Sequence, residues 1–173
     1  FWRRQRSMMQ PLFHRRVVTG FNQLIDAANS RFIDKWAAQA ARGEQVNLTD
    51  DMSELTLAIV LGSIFGKDLA TLTRQPGGNP FEVVTRETAR DLKFAYHFRS
   101  LCKLVASIMA RRRAEPDEHF DSLSMLMNVR DKTSGDPMTE RALIDEVMTL
   151  VVAGHETPAS ARNSSDSPTA TPT

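Results

Sequence analysis

Apolar residues recur at intervals of three and four along most of the chain, and few stretches alternate between apolar and polar residues. The first spacing places apolar side chains on one face of a helix, whereas alternation is the pattern of a half-buried strand. The clearest stripe runs from Phe21 to Trp36 and includes Leu24, Ala28 and Phe32. The chain is therefore predicted to be all-α, with amphipathic helices joined by short loops.

Composition excludes several classes of protein. Lys and Arg number 22 and Asp and Glu 21, a net charge of +1, so no strong overall field attracts nucleic acid or anionic lipid. No apolar run reaches the length that spans a bilayer, and no membrane segment is expected. The single cysteine, Cys102, allows neither an internal disulfide nor a multi-thiolate zinc site. It is interpreted as a structural residue, and the cytoplasm is the expected location.

Capping residues and turns divide the chain into segments. Thr49 is a predicted N-cap, because Asp50 and Asp51 follow it and favour the positive end of a helix dipole. The run Thr133 to Pro137 predicts a loop, and Thr139 can cap the helix after it. That helix is apolar on most sides and is expected to be the central, largely covered helix of the fold.

The composition changes after Ser160. Residues 161–173 contain no large apolar side chain, so they cannot offset the entropy of ordering and are predicted to be disordered. The expected organisation is a helical domain over 1–160 and a tail over 161–173, for which a frameshift is one explanation. The chain also begins at Phe1 and not at a Met, which suggests an internal fragment.

A five-residue motif, Ala153-Gly154-His155-Glu156-Thr157, stands in the apolar central helix. A glycine inside a helix costs about 1 kcal/mol relative to alanine, so Gly154 needs an explanation. One explanation is close packing against another helix. The other is a local opening of the helix that places Glu156 and Thr157 beside a bound ligand.

This motif resembles the oxygen-groove motif in the long central helix of the cytochrome P450 monooxygenases. Near the start of the chain, Trp2-Arg3-Arg4-Gln5-Arg6 is similar to the Trp-x-x-x-Arg signature of that family, and Gln10 to His14 resembles the family's next segment. Phe65-Gly66 and the segment Asp121 to Leu126 come in the expected order. The resemblance covers roughly residues 1–160.

The resemblance implies a P450-like helical fold and a role for each matched residue. Trp2 and Arg6 would bind a propionate of haem b, because an indole N–H and a guanidinium are suitable donors to a carboxylate. Ala153 and Gly154 would lie over the haem face. The catalytic residues would be Glu156 and Thr157, which would organise proton delivery to dioxygen.

The family reaction is the insertion of one oxygen atom from O2 into a small organic substrate. The electrons would come from NAD(P)H through an electron-transfer partner or a fused reductase, and no nucleic acid is expected as a partner. The family's Glu-x-x-Arg helix and its haem-ligating Cys come after the central helix, and this sequence has no counterpart there. No residue is therefore predicted to ligate the iron, and the isolated chain is expected to be inactive. Pro158 also departs from the family pattern.

Two other functions compete with this interpretation. His155-Glu156 begins the His-Glu-x-x-His pattern of metalloproteases, but Ala159 stands where the second His is required. The stronger alternative is a non-catalytic helical interaction fragment with a basic N-terminal patch, which leaves the central motif unexplained. The patch consists of Arg3, Arg4, Arg6, Arg15 and Arg16, with Trp2 and Phe13 between them.

Overall fold

A computed structural model of the protein describes residues 2–73, 79–82, 92–115 and 117–163, except the side chains of residues 2, 92–94 and 155–163. These residues contain no strand, and one isolated antiparallel bridge pairs Arg130 with Pro137. The all-α prediction is confirmed. The α-helices are α1 Trp2–Met9, α2 Arg15–Gly20, α3 Asn22–Ala41, α4 Leu48–Phe65, α5 Asp68–Thr73, α6 Leu92–Ala114, α7 Ser122–Asn128 and α8 Glu140–Asn163, and two 3₁₀ helices span Gln10–Phe13 and Pro80–Glu82.

Helix α4 lies at the centre of the packing. It packs along α8 on one side and against α3 on the other, and it also contacts α5 and α7. Leu61 and Phe65 of α4 are fully buried, and Phe65 packs against the ring of Phe81 with a centroid distance of 5.3 Å. The helix ends at Gly66, whose positive φ of 52° disfavours any residue with a Cβ.

The predicted cap of α4 was wrong by two residues. The N-cap is Asn47, whose Oδ1 accepts a hydrogen bond from the backbone N–H of Asp50 at 3.3 Å. Thr49 lies inside the first turn. The two acidic residues that suggested the cap are in the first turn, as expected from the dipole, but they do not specify which polar residue precedes them.

The contact between α3 and α4 contains an ion pair at its edge. Asp51 Oδ1 accepts a hydrogen bond from Lys35 Nζ at 2.6 Å, and Oδ2 accepts one from the Trp36 indole at 2.7 Å. The hydrogen bond from Lys35 is the main cause that lowers the pKa of Asp51 below its usual range. Asp51 is buried, and it therefore joins the two helices as a carboxylate.

Helix α8 is less covered than its sequence predicts. One face is buried against the core through Leu143, Val147, Met148 and Val151. Within the described part of the chain, an opposite stripe is exposed, formed by Arg141, Asp145, Thr149 and Ala153 at intervals of four. The expectation of a helix covered on most sides was therefore wrong for these residues, because α4, α6 and α7 all contact its buried side.

Helix α8 ends inside the segment that the sequence predicts to be a disordered tail. The helix extends to Asn163 and includes Pro158, so its last three residues belong to the segment predicted as disordered. Residues 164–173 lie outside the described part, and the division into a domain and a tail stays a prediction. In the described part, no helix is both long and apolar enough to cross a membrane.

Candidate functional site

Helix α1 carries the first two predicted site residues, Trp2 and Arg6. Gln5 and Met8 bury the opposite side of this short helix, and Met8 belongs to the main apolar core. Arg6 is exposed, one helical turn after Trp2. The packing of Gln5 and Met8 therefore fixes α1 while the Arg6 guanidinium faces away from the core.

A loop between α7 and α8 holds α1 in place. Arg4 Nε lies 2.9 Å from Asp131 Oδ2, and Arg4 Nη2 lies 3.7 Å from Asp136. Asp131 Oδ1 also accepts hydrogen bonds from the backbone N–H groups of Ser134 at 2.9 Å and Thr133 at 2.8 Å. These backbone hydrogen bonds, with a smaller contribution from Arg4, lower the pKa of Asp131. The loop thus links the start of the chain to the entry of the central helix.

The predicted loop and cap before α8 are both present. Gly135 has a positive φ of 76°, and its N–H donates to the carbonyl of Asp131 at 2.8 Å, which closes the turn. Thr139 Oγ1 accepts a hydrogen bond from the backbone N–H of Ala142 at 3.3 Å. These interactions fix where α8 begins, and they set the rotation of every later residue on it.

Gly154 allows α4 and α8 to approach each other closely. A Cβ added to Gly154 would lie 2.9 Å from Cγ2 and 3.3 Å from Cγ1 of Val60 on α4. Real Cβ atoms essentially never make a contact as short as the first, so an alanine would force a neighbour to move. The structure thus supports close helix packing as a reason for this glycine, and the side on which Gly154 lacks a Cβ faces Val60.

The structure places the predicted site residues on two helices. Ala153 is exposed on the open stripe of α8, and Gly154 is half-buried beside it. Glu156 and Thr157 follow on the same helix, but their side chains lie outside the described part, as does that of Trp2. The roles of all these residues as catalytic or haem-binding groups stay predictions.

The described residues fit a haem group in their chemistry. A haem needs donors for its propionates and small side chains over its face, and Arg6 and Ala153 are both exposed. Gly154 fits only through the backbone, because Val60 fills the space in front of its missing Cβ. Among the described residues, no group of His, Cys, Asp or Glu side chains gathers in a way that could hold a metal ion.

Cys102 does not have the surroundings of a thiolate ligand. It lies in α6, half-buried and packed against the main core. Burial, together with the negative charge of Asp145, raises the pKa of the thiol. A raised pKa favours the neutral thiol over the thiolate that metals bind, so the surroundings suit the structural role predicted for Cys102.

Arg112 is a buried arginine that the sequence pattern does not reveal. Its run with Arg111 and Arg113 suggested only cations at the end of a helix, but Arg112 is 7% exposed. All three nitrogens of its guanidinium donate to acceptors within 2.9 Å, which uses the full fork of donors. Nε donates to Asp68, Nη1 to Asp121 and Ser124, and Nη2 to Asp121 and the carbonyl of Phe65.

The arginine network joins the ends of α4 and α6 to the starts of α5 and α7. Burial opposes the charged guanidinium, but its hydrogen bonds to Asp121 and Asp68 outweigh burial and raise the pKa of Arg112. Asp121 is also the N-cap of α7, where Oδ1 accepts from the backbone N–H of Ser124 at 2.9 Å. This cluster stabilises the fold and lies apart from the predicted site residues, which are on α1 and α8.

The N-terminal arginines are only in part free to form a basic patch. Arg3, Arg15 and Arg16 are exposed, as is Phe13 at 65%. Arg4 is engaged with two carboxylates, which reduces the positive potential near it. The structure therefore gives weaker support to a phosphate-binding patch than the sequence does.

The alignments with known proteins include most of this chain but only part of each relative. The chain is 30% identical over 175 residues to cytochrome P450 135A1 of Mycobacterium tuberculosis, which spans 91% of this chain and 38% of that protein. It is 28% identical to the protein LUTEIN DEFICIENT 5, chloroplastic, of Arabidopsis thaliana, over 91% of this chain and 31% of the relative. A bifunctional cytochrome P450/NADPH–P450 reductase of Bacillus subtilis is 26% identical over 90% of this chain and 16% of the relative.

Solved structures match the fold. The crystal structure of a cytochrome P450, CYP102L1, superposes with a TM-score of 0.72 at 22% identity, over 92% of this chain and 40% of that one. The retinoic acid-bound cyanobacterial CYP120A1 gives a TM-score of 0.67 at 21% identity, over 92% of this chain and 37% of that one. No family model matches the chain. The relatives over nine-tenths of the chain nevertheless support a cytochrome P450 fragment, and the chain spans about a third of the length of the first relatives it matches.

Proposed function

We propose that this chain is the segment of a haem-thiolate monooxygenase that extends from the propionate-binding helix to the oxygen-groove helix. The full-length protein would insert one oxygen atom from O2 into a small organic substrate. The observation that carries the proposal is the position of Ala153 on the open stripe of α8, in a chain that matches cytochrome P450s over nine-tenths of its length.

Helix α1 would hold the cofactor at its edge. Trp2 and Arg6 lie one turn apart, so both side chains can reach one carboxylate, and the charged guanidinium makes the stronger hydrogen bond. The ion pair of Arg4 with Asp131 would fix the direction of α1 from the other side of the helix. Arg6 would thus meet the propionate from a helix that is already held in place.

Helix α8 would form the wall over the cofactor. Ala153 is small and exposed, and it leaves space beside the helix. Glu156 and Thr157 come within one turn after it and supply a carboxyl and a hydroxyl, the two groups that a short proton relay needs. The haem, when held by a thiolate, supplies the activation of dioxygen. The chain's own residues bind it, leave room beside it and move protons towards it.

The remaining parts of the proposal concern partners and location. NAD(P)H electrons would arrive through an electron-transfer partner or a fused reductase, because relatives from Bacillus subtilis carry the two activities in one chain. The chain alone would be inactive, since it has no Cys beyond the half-buried Cys102. We place the protein in the cytoplasm, and no nucleic acid is needed for its function.

An isotope experiment tests the proposed reaction. The full-length protein, with its reductase and NADPH, is supplied with ¹⁸O₂ and a panel of organic substrates, and products are analysed by mass spectrometry. We expect products with one ¹⁸O atom. Replacing Thr157 with alanine should divert electrons to hydrogen peroxide at unchanged haem content. Product oxygen that comes from water, or a full-length protein that binds no haem, would refute the proposal.

The interaction-fragment alternative makes a different prediction. If the exposed Arg3, Arg15 and Arg16 bind phosphates, affinity for nucleic acid falls steeply as salt increases. The monooxygenase proposal expects little affinity at any salt concentration. Titration of a fluorescent oligonucleotide at two ionic strengths separates the two functions.

A further inference from the structure

Glu146 lies on α8 in helical register with two residues, Ala153 and Thr157, that the monooxygenase proposal assigns to the active site. It comes seven residues before Ala153 and eleven before Thr157. At 3.6 residues per turn, Ala153 lies about 20° short of two whole turns from Glu146, and Thr157 lies about 20° beyond three whole turns. Glu146 is therefore in line with these two residues, about 10 Å before Ala153 along the helix axis.

The surroundings of Glu146 are unfavourable for a carboxylate. Its side chain is half-buried, and among the described residues it has no hydrogen-bond or ion-pair partner. Burial raises the pKa of its carboxyl, and the neighbouring charge of Asp145 raises it further. A partly buried carboxylate without a partner lowers the stability of the folded state. Charged groups in such unfavourable surroundings are candidates for a functional role.

The neighbouring acid, Asp145, provides a contrast on the same turn. It is exposed, and its position is about 100° away from Glu146 around the helix axis. Asp145 therefore has the surroundings of an ordinary surface carboxylate. The two residues carry the same charge, but Glu146 is within about 20° of Ala153 around the helix axis, whereas Asp145, further along the exposed stripe, is about 80° from it.

We propose that Glu146 is a specificity-determining residue that selects substrates with a cationic group, which it pairs with about 10 Å along the helix from Ala153. This inference rests on the proposed function, since that function places the substrate against this face. A bound cation would form an ion pair with Glu146, which has no such partner among the described residues. Neutral substrates of the same shape would leave the carboxylate desolvated and unpaired, and would bind less tightly.

A binding experiment on the full-length holoprotein tests the proposal without turnover. Phenylalkyltrimethylammonium ions of graded chain length are compared with neutral isosteres in which carbon replaces the quaternary nitrogen. The quaternary nitrogen has no lone pair, so it cannot ligate iron. Dissociation constants come from the change in the haem absorption spectrum. We expect the cation to bind about tenfold more tightly than its isostere, which corresponds to about 1.36 kcal/mol.

Two substitutions make the experiment specific. Glu146→Gln should abolish the preference for the cation, because the cation loses its partner and the isostere no longer leaves a charged carboxylate unpaired. Asp145→Asn removes the same charge one residue away and should retain the preference. Equal binding of cation and isostere in the unmodified holoprotein, or loss of the preference in both variants, would overturn the inference. So would a Glu146→Gln variant that is less stable and equally selective, because Glu146 would then have an internal partner.

The outcome is distinguishable from failure of the proposed function. A full-length protein that takes up haem and shows a thiolate-type spectrum supports the monooxygenase proposal before any probe is added. Absence of a cation preference in that protein removes only the role of Glu146. Absence of haem removes the proposed function itself, and the role of Glu146 with it.

Discussion

Arg112 and Asp121 form a bidentate ion pair in the interior of the fold, nine residues apart in sequence, with Nη1–Oδ1 and Nη2–Oδ2 distances of 2.8 and 2.9 Å. Asp121 is 1% exposed, and the same arginine also binds Asp68 and the last carbonyl of α4. The pair therefore connects α4, α5, α6 and α7 at one point. Three of these helices, α4, α6 and α7, pack against α8.

Replacing Arg112 with methionine should strongly destabilise the protein. The change leaves Asp68 and Asp121 buried without their cation, a situation that typically costs about 3–5 kcal/mol. Chemical denaturation followed by circular dichroism measures the change. The matched control is Arg113→Met, which removes an exposed pair with Glu140 and should cost about 0–1 kcal/mol. An equal decrease in the free energy of unfolding for the two variants would show that the buried ion pairs of Arg112 stabilise the protein no more than an exposed pair does.

The approach of α4 to α8 can be tested at Gly154. Replacing Gly154 with alanine improves helix propensity by about 1 kcal/mol, but the new methyl meets Val60, and overpacking costs about 1–3 kcal/mol. We expect a net loss of stability. In a background with Val60→Ala the contact is relieved, and Gly154→Ala should then stabilise the protein. A double-mutant cycle by thermal unfolding measures the coupling, and additive effects would contradict the close approach.

Much of the fold was predictable because helices are local structures. The stripe from Phe21 to Trp36 is set by residues three and four apart, and α3 follows it. Arg112 shows where such reasoning ends: its partners at positions 68 and 121 belong to other elements, and spacing within one helix does not reveal them. Gly154 was identified as unusual, but only the position of Val60 shows which side of it is filled.

The ion pair at Asp51 should make stability depend on pH in the acid range. Its pKa is lowered in the folded state, so its contribution is complete above the unfolded value of about 3.9 and is lost as pH falls through the folded value. Asp51→Asn should destabilise the protein at pH 7 by about 1.5–3 kcal/mol, the usual range for hydrogen bonds to charged groups. The difference from the unmodified protein should shrink below about pH 4. Asp34→Asn, at an exposed position on α3, should show no such trend.

Glu146 should have the opposite pH dependence. Its pKa is raised in the folded state, so the folded protein is penalised as pH increases from the unfolded value through the folded one. Replacing Glu146 with glutamine should therefore raise the free energy of unfolding at pH 7, and the gain should disappear at low pH, where both states are protonated. Denaturation at several pH values measures this. A variant that is less stable at pH 7 would contradict the absence of an internal partner.

We propose that this chain forms one part of a haem-thiolate protein and that none of its own residues ligates the iron. The most direct test is the reduced, carbon monoxide difference spectrum, recorded after haem addition for the chain alone and for the full-length protein. We expect a thiolate-type Soret band from the full-length protein and none from the chain. A thiolate-type band from the chain alone, or no such band from the haem-loaded full-length protein, would contradict the account.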